Sequence, residues 1–161
     1  GFNALLLQEE GTQNFVIAFR GTEGLGFDAL VDLAILGHFS AQYSAAVDFV
    51  NKAIGKTYDK VTISKDNLTL TGHSLGGILT QQVGATMKIK GYAYNPWGAN
   101  ALIRYPNTGN VLSDILSVVN AGGAVNWAKD NIANISYQDD GKLNGDPLSN
   151  LATYLGSQHL G

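Results

Sequence analysis

The chain has 161 residues, of which 45% are hydrophobic and 14% charged, enough for one well-buried domain and too few for two ordinary ones. Its net charge of −3, with no cluster of lysines and arginines, leaves no electrostatic footprint for nucleic acid or for an anionic membrane surface. The absence of cysteine excludes disulfides, thiolate metal ligands and a cysteine nucleophile, while the redox compartment stays open.

The longest apolar run, Ala29 to Leu36, is broken by Asp32 and falls well short of the roughly 18 residues that cross a bilayer. A chain that starts at Gly1, without a basic-then-apolar leader, reads as a processed form or an excised domain.

Taken in chain order, Ala4 to Leu7 and Phe15 to Phe19 are apolar runs of strand length. The turn-rich Glu9-Glu10-Gly11-Thr12 between them predicts an antiparallel hairpin. Helix-length stretches follow at Phe27 to Leu36 and Ala41 to Ile54, the second with Val47, Val50 and Ile54 at helical spacing. Leu68 to Thr71 reads as a strand, Leu75 to Lys88 as a helix and Gly91 to Tyr94 as a strand. Val111 to Asn120 and Ala124 to Asp130 read as helices, and Ile132 to Tyr137 as the last strand. Strands alternating with helix-length crossovers imply right-handed βαβ units. The expected fold is a single α/β domain over 1–161: a three-layer α/β/α sandwich with a small, mostly parallel sheet and one antiparallel edge.

Between the strand ending at Thr71 and the following helix stands Gly72-His73-Ser74-Leu75-Gly76-Gly77. A G-x-S-x-G pentapeptide in that place makes a sharp strand-to-helix turn that presents the serine hydroxyl, its glycines letting strand and helix approach. Ser74 is therefore the expected nucleophile. The turn also aims the Leu75 N–H and the positive end of the helix at the place where an oxyanion forms. The second oxyanion donor is expected at the end of an early strand, in Phe19-Arg20-Gly21-Thr22-Glu23-Gly24, with Thr22 supplying the amide; Arg20 reads as a structural brace.

A serine hydroxyl needs an imidazole to take its proton and a carboxylate to orient that imidazole. Of three histidines, His73 adjoins the serine and is expected to pack or hydrogen-bond beneath the elbow. His38 precedes the serine, against the order serine, acid, histidine that a strand–elbow–helix context implies. His159, in the C-terminal loop stretch, is the expected base. Asp114 and Asp130 fall in helix-like stretches, whereas Asp139, Asp140 and Asp146 follow the last strand, at the edge where ligands bind in open α/β sheets. Asp146 is the first choice because Pro147 restrains the chain beside it, with Asp140 as runner-up.

With Phe15-Val16-Ile17-Ala18-Phe19-Arg20-Gly21-Thr22 preceding the Gly72–Gly77 motif by about fifty residues, the chain resembles the class 3 lipase family of α/β-hydrolases from about Phe15 to His159. The resemblance implies a lipase, carboxylesterase or phospholipase A1-like enzyme. Acyl esters would be hydrolysed by a Ser74–Asp146–His159 triad through an acyl-enzyme, with Thr22 and Leu75 at the oxyanion and no metal or cofactor. Asp146-Pro147-Leu148 is similar to the family's acid segment, and His159 is matched by order and loop position alone. Ala29 stands where the family commonly has tryptophan, while Asp32-Leu33 keeps the end of that segment.

Leu25, Phe27, Leu30, Ile35 and Leu36 form an apolar set that serves as a lid making transient contact with a lipid interface, or as an ordinary core-facing helix. Trp97, Ile103, Val118, Val119 and Trp127 are expected either in an acyl pocket or in the core. The chain is shorter than typical members, so a minimal or truncated hydrolase is expected, of the secreted or cell-surface bacterial type. The alternatives are acyl transfer through the same triad, and a hydrolase-fold binding module with an inert serine.

Overall fold

The structure, a computed structural model, describes residues 1–21, 38–96 and 123–135. Five strands form the central sheet: β1 (Ala4–Gln8), β2 (Phe15–Phe19), β5 (Leu68–His73), β6 (Gly91–Tyr94) and β7 (Ile132–Ile135), in the spatial order β1-β2-β5-β6-β7. β1 pairs antiparallel with β2, and the other three pairings are parallel. Helix α1 (His38–Ala53) lies in the β2–β5 crossover, α2 (Leu75–Met87) joins β5 to β6, and a third helix, α3, runs through 123–131 before β7. The protein is thus mixed α/β with a mostly parallel sheet.

The β1–β2 hairpin forms as its turn residues require. Gly11 takes φ +73°, Glu9 N–H donates to the Asn14 carbonyl at 3.0 Å, and Asn14 N–H donates to Thr12 Oγ1 at 3.1 Å. The observed β2 and β6 have the bounds expected from their apolar runs, and β5 extends two residues beyond them, through Gly72 and His73. A second hairpin, β3 (Thr57–Tyr58) with β4 (Val61–Thr62), was not expected. Its strands are too short for any period to show, and its turn places Asp59 and Lys60 at positive φ without the glycine that usually marks such turns. α1 begins at His38. The stretches expected as helices at 27–36 and 111–120 lie outside the described residues.

Alternation along the strands sorts the sheet into two faces. Phe15, Ile17, Phe19, Leu68, Leu70, Ala93 and Ile132 are buried, and with Ala46, Val50, Leu79 and Val83 of the helices they make the core. Burying a side chain such as Ile17 or Leu70 contributes about 2 kcal/mol. On the opposite face Leu5, Leu7, Tyr92, Tyr94 and Ile135 are exposed. The strand order explains this: β2, β5, β6 and β7 follow one another in a single direction, so crossovers of one hand carry all three helices to the same side.

α2 sits deepest because both surfaces at its contact with the sheet are small. Gly76, Thr80 and Gly84 recur every four residues on the helix and meet Gly72, Gly91 and Ile132 on the strands. A Cβ on Gly91 would lie 2.8 Å from Thr80 Cγ2, and one on Gly84 would lie 2.9 Å from Ile132 Cδ1. Polar links complete the seating: Gln81 Nε2 donates to Asn134 Oδ1 at 2.6 Å, and Tyr43 on α1 donates its hydroxyl proton to Thr86 Oγ1 at 3.0 Å. Residues 75–85 of α2 are buried all round, the polar Thr80, Gln81 and Gln82 among them.

Candidate active site at the β5–α2 elbow

Ser74 is the single residue between the end of β5 at His73 and the start of α2 at Leu75. Ser74 has φ 55° and ψ −119°, a conformation that a residue bearing a Cβ rarely adopts and that costs on the order of 1–3 kcal/mol. The residue before a helix normally lies in the β region, and a serine there normally uses its hydroxyl to cap the first turn. Ser74 does neither, since its side chain makes no capping bond. Its backbone is held by Ser74 N–H donating to the Tyr94 carbonyl at 3.0 Å and by Ile78 N–H donating to the Ser74 carbonyl at 3.1 Å. The turn is therefore over-determined by its neighbours while the hydroxyl is left uncommitted.

The glycines of the motif are required by space. A Cβ on Gly72 would run into the backbone carbonyl of Gly76, and one on Gly76 into the carbonyl oxygen of Phe19, at the end of β2. Gly77 is nearly as tight on the other flank, where a Cβ would lie 3.1 Å from Pro96 Cβ and 3.2 Å from the Tyr94 carbonyl oxygen. The elbow is thus pressed between the carboxyl ends of β2 and β6. Asn95, the residue after β6, also has positive φ (41°), and its N–H donates to the Ile135 carbonyl at 2.8 Å. Two strained non-glycine residues therefore stand at adjacent strand ends on one edge.

The first helical N–H groups of α2 have no acceptor four residues back, so those of Leu75, Gly76 and Gly77 are available beside Ser74, at the positive end of the helix. Leu75 itself is buried. On the β2 side Arg20 N–H donates to the Asn3 carbonyl at 3.0 Å, bracing the strand end, and Gly21 follows directly against the elbow. A half-buried serine hydroxyl next to unpaired amides is suited to nucleophilic attack with oxyanion stabilisation.

Of the expected site residues, the structure brings Ser74 and Leu75 together and sets Gly21, the neighbour of Thr22, against them. Thr22, Asp140, Asp146 and His159 lie outside the described residues, as do the lid stretch and Trp97, Ile103, Val118 and Val119. His73 corrects an expectation. It is exposed, because alternation along β5 sends residue 73 away from the side to which Gly72 turns, the side of α2. Trp127 on α3 carries Lys88 Nζ 5.2 Å from its ring centroid, with the same nitrogen donating to the Gly123 carbonyl at 3.3 Å. That is a surface cation–π contact, and burial of the ammonium lowers the Lys88 pKa below its ordinary value.

Of the elbow's flanks, the segment containing Gly21 was expected beside the site, whereas the Tyr94-Asn95-Pro96 turn was not singled out from sequence. The available signal was an Asn-Pro pair closing a strand. Among the described residues no three His, Asp or Glu side chains gather as a metal site would require. Compared with known proteins, the chain matches no family model, no curated protein and no solved structure.

Proposed function

We propose that the protein is a serine ester hydrolase with an α/β-hydrolase fold, related to the class 3 lipases, in which Ser74 attacks the carbonyl carbon of an acyl ester. His159 takes the hydroxyl proton and Asp146 orients His159. The Leu75 and Thr22 amides hold the oxyanion, and the alcohol leaves with the proton from His159. Water then releases the acyl-enzyme by the same steps, with no metal or cofactor.

The observation that carries this proposal is the strained Ser74, at a tight strand–helix turn, with its hydroxyl unused for capping. Strain of this kind persists only where the surroundings enforce it, and it concentrates at reacting groups. The parallel sheet adds support, because ligands in open α/β sheets sit outside the carboxyl ends of the strands, the edge on which Ser74 stands.

The test is hydrolysis of p-nitrophenyl esters from short to long acyl chains by wild type, Ser74→Ala, His159→Ala, Asp146→Asn and Asp140→Asn. The expected result is a loss of kcat of about 10⁴-fold or more in the first two variants. A large loss is also expected in Asp146→Asn but not in Asp140→Asn. Wild type inert toward every ester and toward an organophosphonate would overturn the proposal. The chain-length profile separates an esterase from a lipase.

A further inference from the structure

β1 stands at one end of the sheet: among the described residues β2 is the strand paired with it, and no strand lies on its other flank. Edge strands are commonly blunted by a lysine, a proline, a bulge or a covering element, because an open row of N–H and C=O groups invites another strand. β1, Ala4-Leu5-Leu6-Leu7-Gln8, has no charge and no proline, and its five consecutive pairs with β2 run without a bulge. Leu5 and Leu7 are 65% and 51% exposed, so that face of the strand is left to solvent.

Two hydrogen bonds fix the direction of the open groups. Arg20 N–H donates to the Asn3 carbonyl and Glu9 N–H to the Asn14 carbonyl, both at 3.0 Å, and both continue the β1–β2 register. Residues of an antiparallel pair alternate between turning both backbone groups toward the partner and turning both away. Asn3, Leu5, Leu7 and Glu9 therefore turn toward β2, and Ala4, Leu6 and Gln8 present N–H and C=O to the open side. Side chains alternate as well: Ala4 and Leu6 pack against the core, whereas Leu5 and Leu7 stand out from it.

We propose that the open edge of β1 pairs antiparallel with β1 of a second copy of this chain, about a two-fold axis at Leu6. The open groups at 4, 6 and 8 are symmetric about Leu6, so Ala4 meets Gln8 of the second copy and Leu6 meets its own counterpart. Each such pair exchanges two N–H···O=C bonds. Leu5 falls opposite Leu7 of the second copy in the non-hydrogen-bonded positions, where side chains approach most closely, and each exposed leucine covers another. The contact is isologous and closes on itself, joining two five-stranded sheets and leaving neither β1 edge open. Charge selects the antiparallel direction. A parallel copy would set the Glu9 and Glu10 carboxylates beside their own counterparts, one strand spacing of about 5 Å away. In the antiparallel pair Glu9 stands opposite Asn3 of the second copy, and the two Glu9 residues lie about 20 Å apart, beyond a Debye length. An interface of five residues a side is below the standard size of a stable complex, so the dimer is weak, dissociating at about 10–100 µM.

Sedimentation equilibrium of wild type over about 5–500 µM is expected to show a monomer–dimer equilibrium. Leu5→Lys, which sets an ammonium against Leu7 of the second copy, is expected to raise Kd about tenfold or more. Tyr92→Lys alters an exposed residue of the same face on β6, away from the edge, and is expected to leave Kd unchanged. A wild type that stays monomeric at about 500 µM would overturn the proposal. A dimer weakened equally by Tyr92→Lys would overturn it too, since the contact would then be face to face.

Cross-linking reads the register directly, because the chain has no cysteine of its own. Residues 5 and 7 of opposite copies are expected about 4.5 Å apart at Cα, within disulfide range, whereas residue 5 and its own counterpart are diagonal neighbours at about 7–8 Å, outside it. A mixture of Leu5→Cys and Leu7→Cys chains, oxidised by copper phenanthroline and oxygen, is therefore expected to cross-link about tenfold faster than either variant alone. Equal rates for Leu5→Cys alone and for the mixture would overturn the pairing about Leu6.

Discussion

The two ends of α2 each carry a non-glycine residue at positive φ, and they are not equivalent. At the C-terminal end Lys88 has φ 59° and ψ 53°, the left-handed cap that commonly stops helices, and its N–H is satisfied by the Gly84 carbonyl. Its strain has a structural purpose that glycine would serve as well. At the N-terminal end Ser74 has φ 55° with ψ −119°, outside the left-handed helical region, and performs no capping. Helix termination accounts for Lys88 and leaves Ser74 unexplained as a purely structural residue. The difference teaches that the strain at the start of α2 is maintained by neighbours packed against it, which is how a reacting group is kept in place.

The comparison breaks first where those neighbours are disturbed. Gly76→Ala drives a Cβ into the Phe19 backbone carbonyl at the end of β2. It is expected to cost at least about 4 kcal/mol, read as a fall in the urea midpoint or as loss of soluble protein. A cost under about 1 kcal/mol would mean that the elbow is not held as described. Ser74→Gly removes the Cβ penalty while keeping the turn. It is expected to raise stability by about 1 kcal/mol over Ser74→Ala in the same urea titration, and to abolish phosphonate labelling. Equal stabilities for the two variants would show that Ser74 is unstrained.

Lys88→Gly is expected to change least, a gain of about 0.5 kcal/mol after loss of the Trp127 and Gly123 contacts, with p-nitrophenyl ester turnover equal to that of wild type. If it lowered activity as Ser74→Gly does, the two ends of α2 would not differ in the way inferred.

Much of this was legible in sequence where the relevant physics is local. Phe15–Phe19 and Gly91–Tyr94 declare themselves as strands by apolar run length, and the β1–β2 hairpin by Glu9 to Thr12, because side-chain alternation and turn chemistry act over a few residues. The same holds for the elbow. Gly72, Ser74 and Gly76 at fixed spacing after a strand imply a tight turn before any distance is known, and the strained Ser74 agrees with it.

What only the tertiary structure decided are the relations between distant segments. Sequence spacing did not indicate that three crossovers in one direction gather α1, α2 and α3 on one face, leaving Leu5 and Tyr92 exposed on the other. His73 was expected beneath the elbow and is exposed, because its direction follows from which face of β5 the helices cover. Gly21 and Gly76, fifty-five positions apart, are both glycine because the end of β2 lies against the elbow. Run lengths and turn motifs are properties of neighbours along the chain, and sequence reveals them. Close approach of one backbone to another depends on register and strand order, and those exist only once the sheet has formed.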